Sequence, residues 1–213
     1  MTTTSRKRSY DSPRRRAMAA DTRAVVLEAA ARLFAERGWS GTSVRDVARE
    51  AGVSVETVYA SVGSKTKLLT RAIEVGVVGD DEPVPLAERP EFAALGQGDR
   101  AARLEATARM LATQYARVAA LERTLDQAAG SEPELAEEQR QTQARLHTSW
   151  HDGLVLVLGQ EPDPALVDGI RAIGSPQVYL QLVELTGWSP EQYRQWLTHT
   201  LFRLLDHIPE ETS

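Results

Sequence analysis

Apolar residues recur along this chain at intervals of three and four, the spacing that lines one side of an α-helix. No stretch alternates as a half-buried strand requires. The pattern predicts an all-α fold. From Asp21 onward, Val26, Ala29, Ala30, Leu33 and Phe34 share one face, and Gly38 is a natural C-terminal stop. Ser43 opens a second helix with Asp46 three residues on, a capping-box start, and Val44, Val47, Ala48 and Ala51 form its apolar side. Gly52 supplies the left-handed residue that breaks it. Ser54 caps a third helix, and Ser64 a fourth that carries Leu68, Leu69, Ala72 and Ile73.

Pro83, Pro85, Pro90, Gly96 and Gly98 then interrupt any helical pattern, so residues 80–98 are expected to be a partly mobile connection between domains. Beyond it the period returns. Leu104, Ala108, Leu111, Tyr115, Val118 and Leu125 trace one stripe of a long helix. Leu135, Gln139, Thr142, Leu146, Trp150, Leu154 and Val157 trace a second. A short helix over 163–173 follows, and Ser175-Pro176 and Ser189-Pro190 each start another, serine capping and proline at the first helical position. The last helix shows Tyr193, Trp196, Leu197, Thr200, Leu201, Leu204, Leu205 and Ile208 on one broad face. Four segments result: a disordered basic arm at 1–20, a helical head at 21–79, the linker at 80–98, and a larger helical body at 99–213.

Charge separates these parts. The net −5 of the 213 residues conceals 14 Lys and Arg against 8 Asp and Glu in residues 1–79, and 11 against 22 in residues 80–213. A head at +6 on a body at −11 suits a protein that meets a polyanion at one end only. Hydrophobic residues make up 42%, enough for one sizeable core or two small ones, and no apolar run is long enough to cross a bilayer. The N-terminus lacks the order of a secretory signal, and the absence of cysteine fits the cytoplasm while excluding thiolate metal sites and cysteine nucleophiles.

The segment 43–65, SVRDVAREAGVSVETVYASVGSK, places two short helices around the turn Ala51-Gly52-Val53-Ser54. Helices at that spacing can put the second in the major groove of duplex DNA. Residues 21–73 as a whole resemble the DNA-binding domain of the TetR family of bacterial transcriptional regulators. The resemblance is carried by Ala29-Ala30, by Phe34 with Gly38, by Thr42 and the Ala-Gly-Val-Ser turn. It continues through Thr57-Val58-Tyr59 to Lys65 with Leu68 and Leu69 behind it. It covers about a quarter of the chain. It implies a three-helix, helix-turn-helix head on a helical ligand-binding and dimerisation body. Ser61-Val62 departs from the family pattern, which often has histidine or tyrosine and then phenylalanine there.

The resemblance implies that Tyr59, Lys65, Thr42, Ser43 and Ser61 meet phosphates, that Thr57 meets a phosphate or a thymine methyl, and that Ser54, Val55 and Glu56 face the groove. Arg45 has the reach for a guanine edge. It further implies a homodimer on a palindromic operator of double-stranded DNA, released by a small-molecule effector. An activator, or a regulator that ignores ligands, fits the same residues. An all-α enzyme or small-molecule-binding protein is a third reading, but no glycine-rich phosphate loop, nucleophile elbow or complete metal set supports it, and no cofactor is expected.

The dimer surface is expected over residues 176–207, whose apolar face includes Val178, Leu182, Trp196, Leu197, Leu201 and Leu204. Met110, Gln114 and Tyr115 on one long helix, with His147, Trp150 and His151 on the next, put polar tips in an apolar setting and are the expected ligand contacts. His147 and His151 also stand one helical turn apart. The run H-T-S-W-H lacks the glutamate of the metalloprotease signature, so a pocket or structural role is expected rather than metal.

Overall fold

The computed structural model describes residues 13–209, and they form helices and turns with no strand. The head consists of α1 (Pro13–Arg37), α2 (Val44–Glu50), α3 (Val55–Ser61) and α4 (Lys65–Val78). Serine caps three of them: the hydroxyls of Ser43, Ser54 and Ser64 accept from the backbone N–H groups of Asp46, Thr57 and Lys67. Gly52, at φ 67°, makes the reversal between α2 and α3 in a conformation that a side chain would strain. Val26, Ala30, Leu33 and Phe34 of α1 close on Val47, Ala48, Val58, Leu68 and Leu69. Leu33, Phe34, Leu68 and Leu69 are almost wholly enclosed, each stabilising the fold by about 1.5–3 kcal/mol.

Two expectations change here. The first helix begins at Pro13, so residues 13–20 are its opening turns rather than part of a disordered arm. Residues 17–21 are exposed, and the helix there rests on good helix formers rather than on burial. Residues 1–12 of the expected arm lie outside the described residues. The connection between head and body is also structured: a 3-10 turn at Leu86–Glu88, α5 (Pro90–Ala93) and a second 3-10 turn at Ala94–Gly96. Phe92 and Leu95 are buried in the body's core. Arg89 clamps both carboxylate oxygens of Asp80, at 2.7 and 2.8 Å, and donates to the Val84 carbonyl.

The body is built round α6 (Arg100–Ala129), with α7 (Pro133–Leu158), α8 (Pro164–Ile173), α9 (Pro176–Leu180) and α10 (Pro190–Leu205) packed about it; α9 runs on into a π-helical turn, Gln181–Leu185. Leu104, Ala108, Leu111, Tyr115 and Val118 of α6 meet Leu154 and Val157 of α7 and Tyr193, Leu197, Leu201 and Leu205 of α10. Arg100 donates to the carbonyl of Leu205, covering the end of α10. Of the expected dimer face, Leu197 and Leu201 are buried within the chain, whereas Leu204 is exposed, together with Leu185 and Phe202.

The far half of α6 serves both parts of the molecule. Leu121, Leu125 and Ala128, with Leu135 of α7, are buried in the head's core. Thr124 donates to the carbonyl of Phe34 on α1, 3.1 Å away. Closer to the middle, α4 and α6 touch backbone to side chain. A Cβ on Gly76 would lie 2.5 Å from Val118 Cγ1. Arg117 also donates to the carbonyls of Gly76 and Val77 at the end of α4.

Candidate nucleic-acid interface and effector cavity

Capping fixes the orientation of α2 and α3 and leaves Ser43, Arg45, Ser54, Glu56 and Tyr59 exposed, with Thr57 half-buried. Arg45 has no ion pair among the described residues, so its guanidinium is available to a base edge or a phosphate. Tyr59 stands 55% exposed at the surface of α3. Ser54 spends its oxygen on the cap and sits 3.1 Å from the Thr57 hydroxyl. Ser43 and Asp46 complete a capping box, and the bonds from Ser43 and then Arg49 hold the Asp46 carboxyl below its ordinary pKa. At the start of α3, its own backbone N–H, and after it Ser54, hold Glu56 low in the same way.

Four expected DNA contacts are differently placed. Thr42 is buried, its hydroxyl within hydrogen-bond distance of the Leu33 and Gly38 carbonyls at 3.1 and 2.9 Å, so it braces the end of α1. Val55 is half-buried against the head's core rather than fully presented to a groove. The Ser61 hydroxyl turns back on the Val58 carbonyl, and Val62 packs inward. Lys65 is the most informative. Its ammonium donates to the carbonyl of Trp39 at 2.6 Å and lies 4.0 Å from the centre of that indole ring. Partial burial lowers the Lys65 pKa, against a smaller opposing pull from Glu132. One of its three donors is used, so two remain for an incoming phosphate.

Trp39 thereby joins three parts of the molecule. Its ring stacks on Phe34 with centroids 5.9 Å apart, and its indole N–H donates to Glu132 before α7. Beside it Thr66 donates to Glu134 at 2.9 Å and Lys67 pairs with Glu138 at 2.6 Å. The start of α7 thus grips the start of α4 through two carboxylates and holds Trp39 through a third. None of this was anticipated from sequence. The one cue was an aromatic residue directly after the Gly38 stop, with its partners far along the chain.

A cavity of about 750 Å3 opens between head and body. Ile73 and Val77 of α4, Leu111 and Leu125 of α6, and Leu146 and Trp150 of α7 give it a mainly apolar wall. Met110, Gln114, Tyr115 and Trp150 line it as expected. Tyr115 donates to the Gly174 carbonyl at 2.6 Å, and burial raises its pKa well above the ordinary value. His147 and His151 do not line the cavity. His147 lies 3.8 Å from Asp168, and His151 is held between Glu161 at 2.7 Å and Asp152 at 3.1 Å, which raise its pKa in that order. Among the described residues no three His, Asp or Glu side chains gather as metal ligands would.

One lining residue was not foreseen. Glu122 occupies the α6 face between Val118 and Leu125, and burial, with Asp126 second, pushes its carboxyl up to about 7. The cue was present: the predicted stripe Leu111, Tyr115, Val118, Leu125 skips one turn, and Glu122 fills the gap.

Residues 26–72 match the family model of bacterial regulatory proteins of the tetR family. Residues 26–72, the helix-turn-helix head, are thus a DNA-binding domain of the tetR type. A search of curated protein sequences finds no match. Solved structures share the fold over most of this chain. One is a transcriptional regulator from Rhodococcus sp. Rha1, at 21% identity and TM-score 0.61, covering 86% of this chain and 96% of that one. A TetR-family member from Streptomyces coelicolor A3 has 22% identity and TM-score 0.57, over 84% and 97% of the two chains. A regulator assigned to the same family from Syntrophomonas wolfei has 18% identity and TM-score 0.66, over 90% and 98%.

Proposed function

We propose that this regulator is a ligand-released repressor that binds a palindromic operator as a homodimer. The supporting observation is that the cavity is walled by both the DNA-reading head and the body: Thr70, Ile73 and Val77 belong to α4, whose first turn carries Lys65. A ligand that fits the cavity better in one arrangement of α4 and α6 biases the head toward that arrangement. Glu138 connects the two ends directly, since it lines the cavity and pairs with Lys67.

In this reading the head spans the helices up to Gly79 and the body begins at Asp99. Arg45, Glu56 and Thr57 face the bases. Tyr59, Ser43 and Lys65 hold phosphates, with Lys65 pre-positioned on Trp39. One short reading helix covers too few base pairs for useful specificity, which favours two heads on a two-fold site. The exposed apolar groups Leu185, Phe202 and Leu204 of α9–α10 suit the contact between the two chains.

The test is a gel-shift titration against a palindromic site selected from the DNA upstream of the gene. Tyr59→Phe and Lys65→Ala are each expected to weaken binding by roughly 5- to 30-fold, the loss of one phosphate contact at about 1–2 kcal/mol. Unchanged affinity in both variants removes the assignment of this surface. A monomer by light scattering at micromolar concentration removes the dimer.

A further inference from the structure

The cavity contains two polar groups that the protein itself leaves incomplete. Gln114 is only 7% exposed, lines the cavity, and its side-chain amide has no hydrogen-bond partner among the described residues. Its amide therefore opens onto the cavity, where a ligand atom can pair with it. Glu122 lies two turns further along the same helix, roughly 12 Å away at 1.5 Å per residue. Its carboxylate has neither a hydrogen bond nor an ion pair among the described residues.

The other charged groups on the cavity wall are already engaged. Glu74 is paired with Arg71, and Glu138 with Lys67. Asp126 accepts from the side-chain amides of Gln139 and Gln177 at 2.6 and 3.0 Å. Asp168 faces His147. Arg145 and Arg171 donate to Thr142 and Gln143 on the α7–α8 side. Arg145 is exposed and screened by solvent, and Arg171, half-buried like Glu122, already donates to Gln143. Among the described residues, Glu122 is the one charged group on this wall with neither a hydrogen bond nor an ion pair, and Asp126 adds to the negative potential there.

We propose that the cavity takes an organic cation with an apolar body, its positive centre seated on the Glu122 carboxylate. The apolar body lies against Leu111, Leu125, Ile73, Val77 and Trp150, and a polar atom toward the other end completes the Gln114 amide. The inference rests on the effector reading above and names the chemical class of that effector. A cation draws the proton off Glu122 as it binds, so its affinity rises from pH 6 to pH 8, whereas that of a neutral ligand does not.

Calorimetry with the full chain tests this, using decylamine, decan-1-ol and decanoate below their micelle concentrations. At about pH 8 decylamine is expected to bind at least ~10-fold more tightly than the alcohol, the scale of a charge-assisted bond, and decanoate the most weakly. Glu122→Gln, nearly isosteric, should bring the amine to within about 2-fold of the alcohol. Three results overturn the inference: alcohol or carboxylate binding as tightly as the amine, an amine preference that survives Glu122→Gln, or no binding by any of the three. Adding the same compounds to the gel shift separates the two readings. Amine binding without operator release sinks the effector reading and leaves the cation assignment standing. Release by the alcohol or carboxylate alone does the reverse.

Discussion

Glu122 makes a prediction about the ligand-free protein that needs no effector. Burial and Asp126 hold its carboxyl at about 7 against an ordinary 4.5. Between those values the folded chain keeps a proton that the unfolded chain has lost. Stability from this group is therefore complete below pH 4.5 and falls away as pH rises through about 7. At about 1.4 kcal/mol for each tenfold change in the proton equilibrium, the whole loss is at most about 3.4 kcal/mol. Water reaching the carboxylate through the cavity reduces the expected value to about 2 kcal/mol. Glu122→Gln cannot ionise and does not share the loss. Urea unfolding of both proteins at one fixed concentration, at about pH 5 and about pH 8, isolates the difference from every other titrating group. The variant should gain about 2 kcal/mol on the wild type between the two conditions. Stability curves that stay parallel, or a wild type that gains on the variant as pH rises, would refute the placement of Glu122 in a poorly solvated wall.

Three further outcomes test the frame around the site. Gly76→Ala puts a methyl 2.5 Å from Val118 Cγ1, and thermal unfolding should show a loss of about 1–3 kcal/mol from overpacking between α4 and α6. Thr42→Val removes a buried hydroxyl from two carbonyls and should destabilise by about 1–2 kcal/mol; a loss of operator affinity with unchanged stability would restore Thr42 as a DNA contact. Trp39→Phe keeps an aromatic face for Phe34 and Lys65 but loses the donor to Glu132, and denaturant titration should register about 0.5–1.5 kcal/mol.

The helices were legible because their ends are written in short-range chemistry. Ser43, Ser54, Ser64, Ser175 and Ser189 make the cap bonds that their positions imply. The start of α1 is illegible for the converse reason: residues 17–21 bury nothing, so no apolar stripe marks them. Pro90 has the look of a helix breaker, yet it opens α5 and delivers Phe92 and Leu95 into the core. At the candidate site the backbone frame could be read, but the direction of Thr42 and Lys65 could not. Thr42 turns toward Leu33, and Lys65 toward Trp39, a carbonyl 26 residues earlier in the chain that tertiary packing brings alongside. Gln114 and Trp150 were found from their setting in apolar stripes, whereas Glu122 was passed over because a charged residue inside such a stripe looked like an interruption.

The double duty of α6 has a consequence for anyone building chimaeras of this protein. Cut at the connection and fused to another body, residues 13–98 would leave without Leu121, Leu125, Ala128 and Leu135, which close the floor of their core, and without the Thr124 hydroxyl on Phe34. A graft that keeps its DNA specificity has to carry those five positions into the recipient's own long helices. The head can be transplanted only together with the floor it stands on.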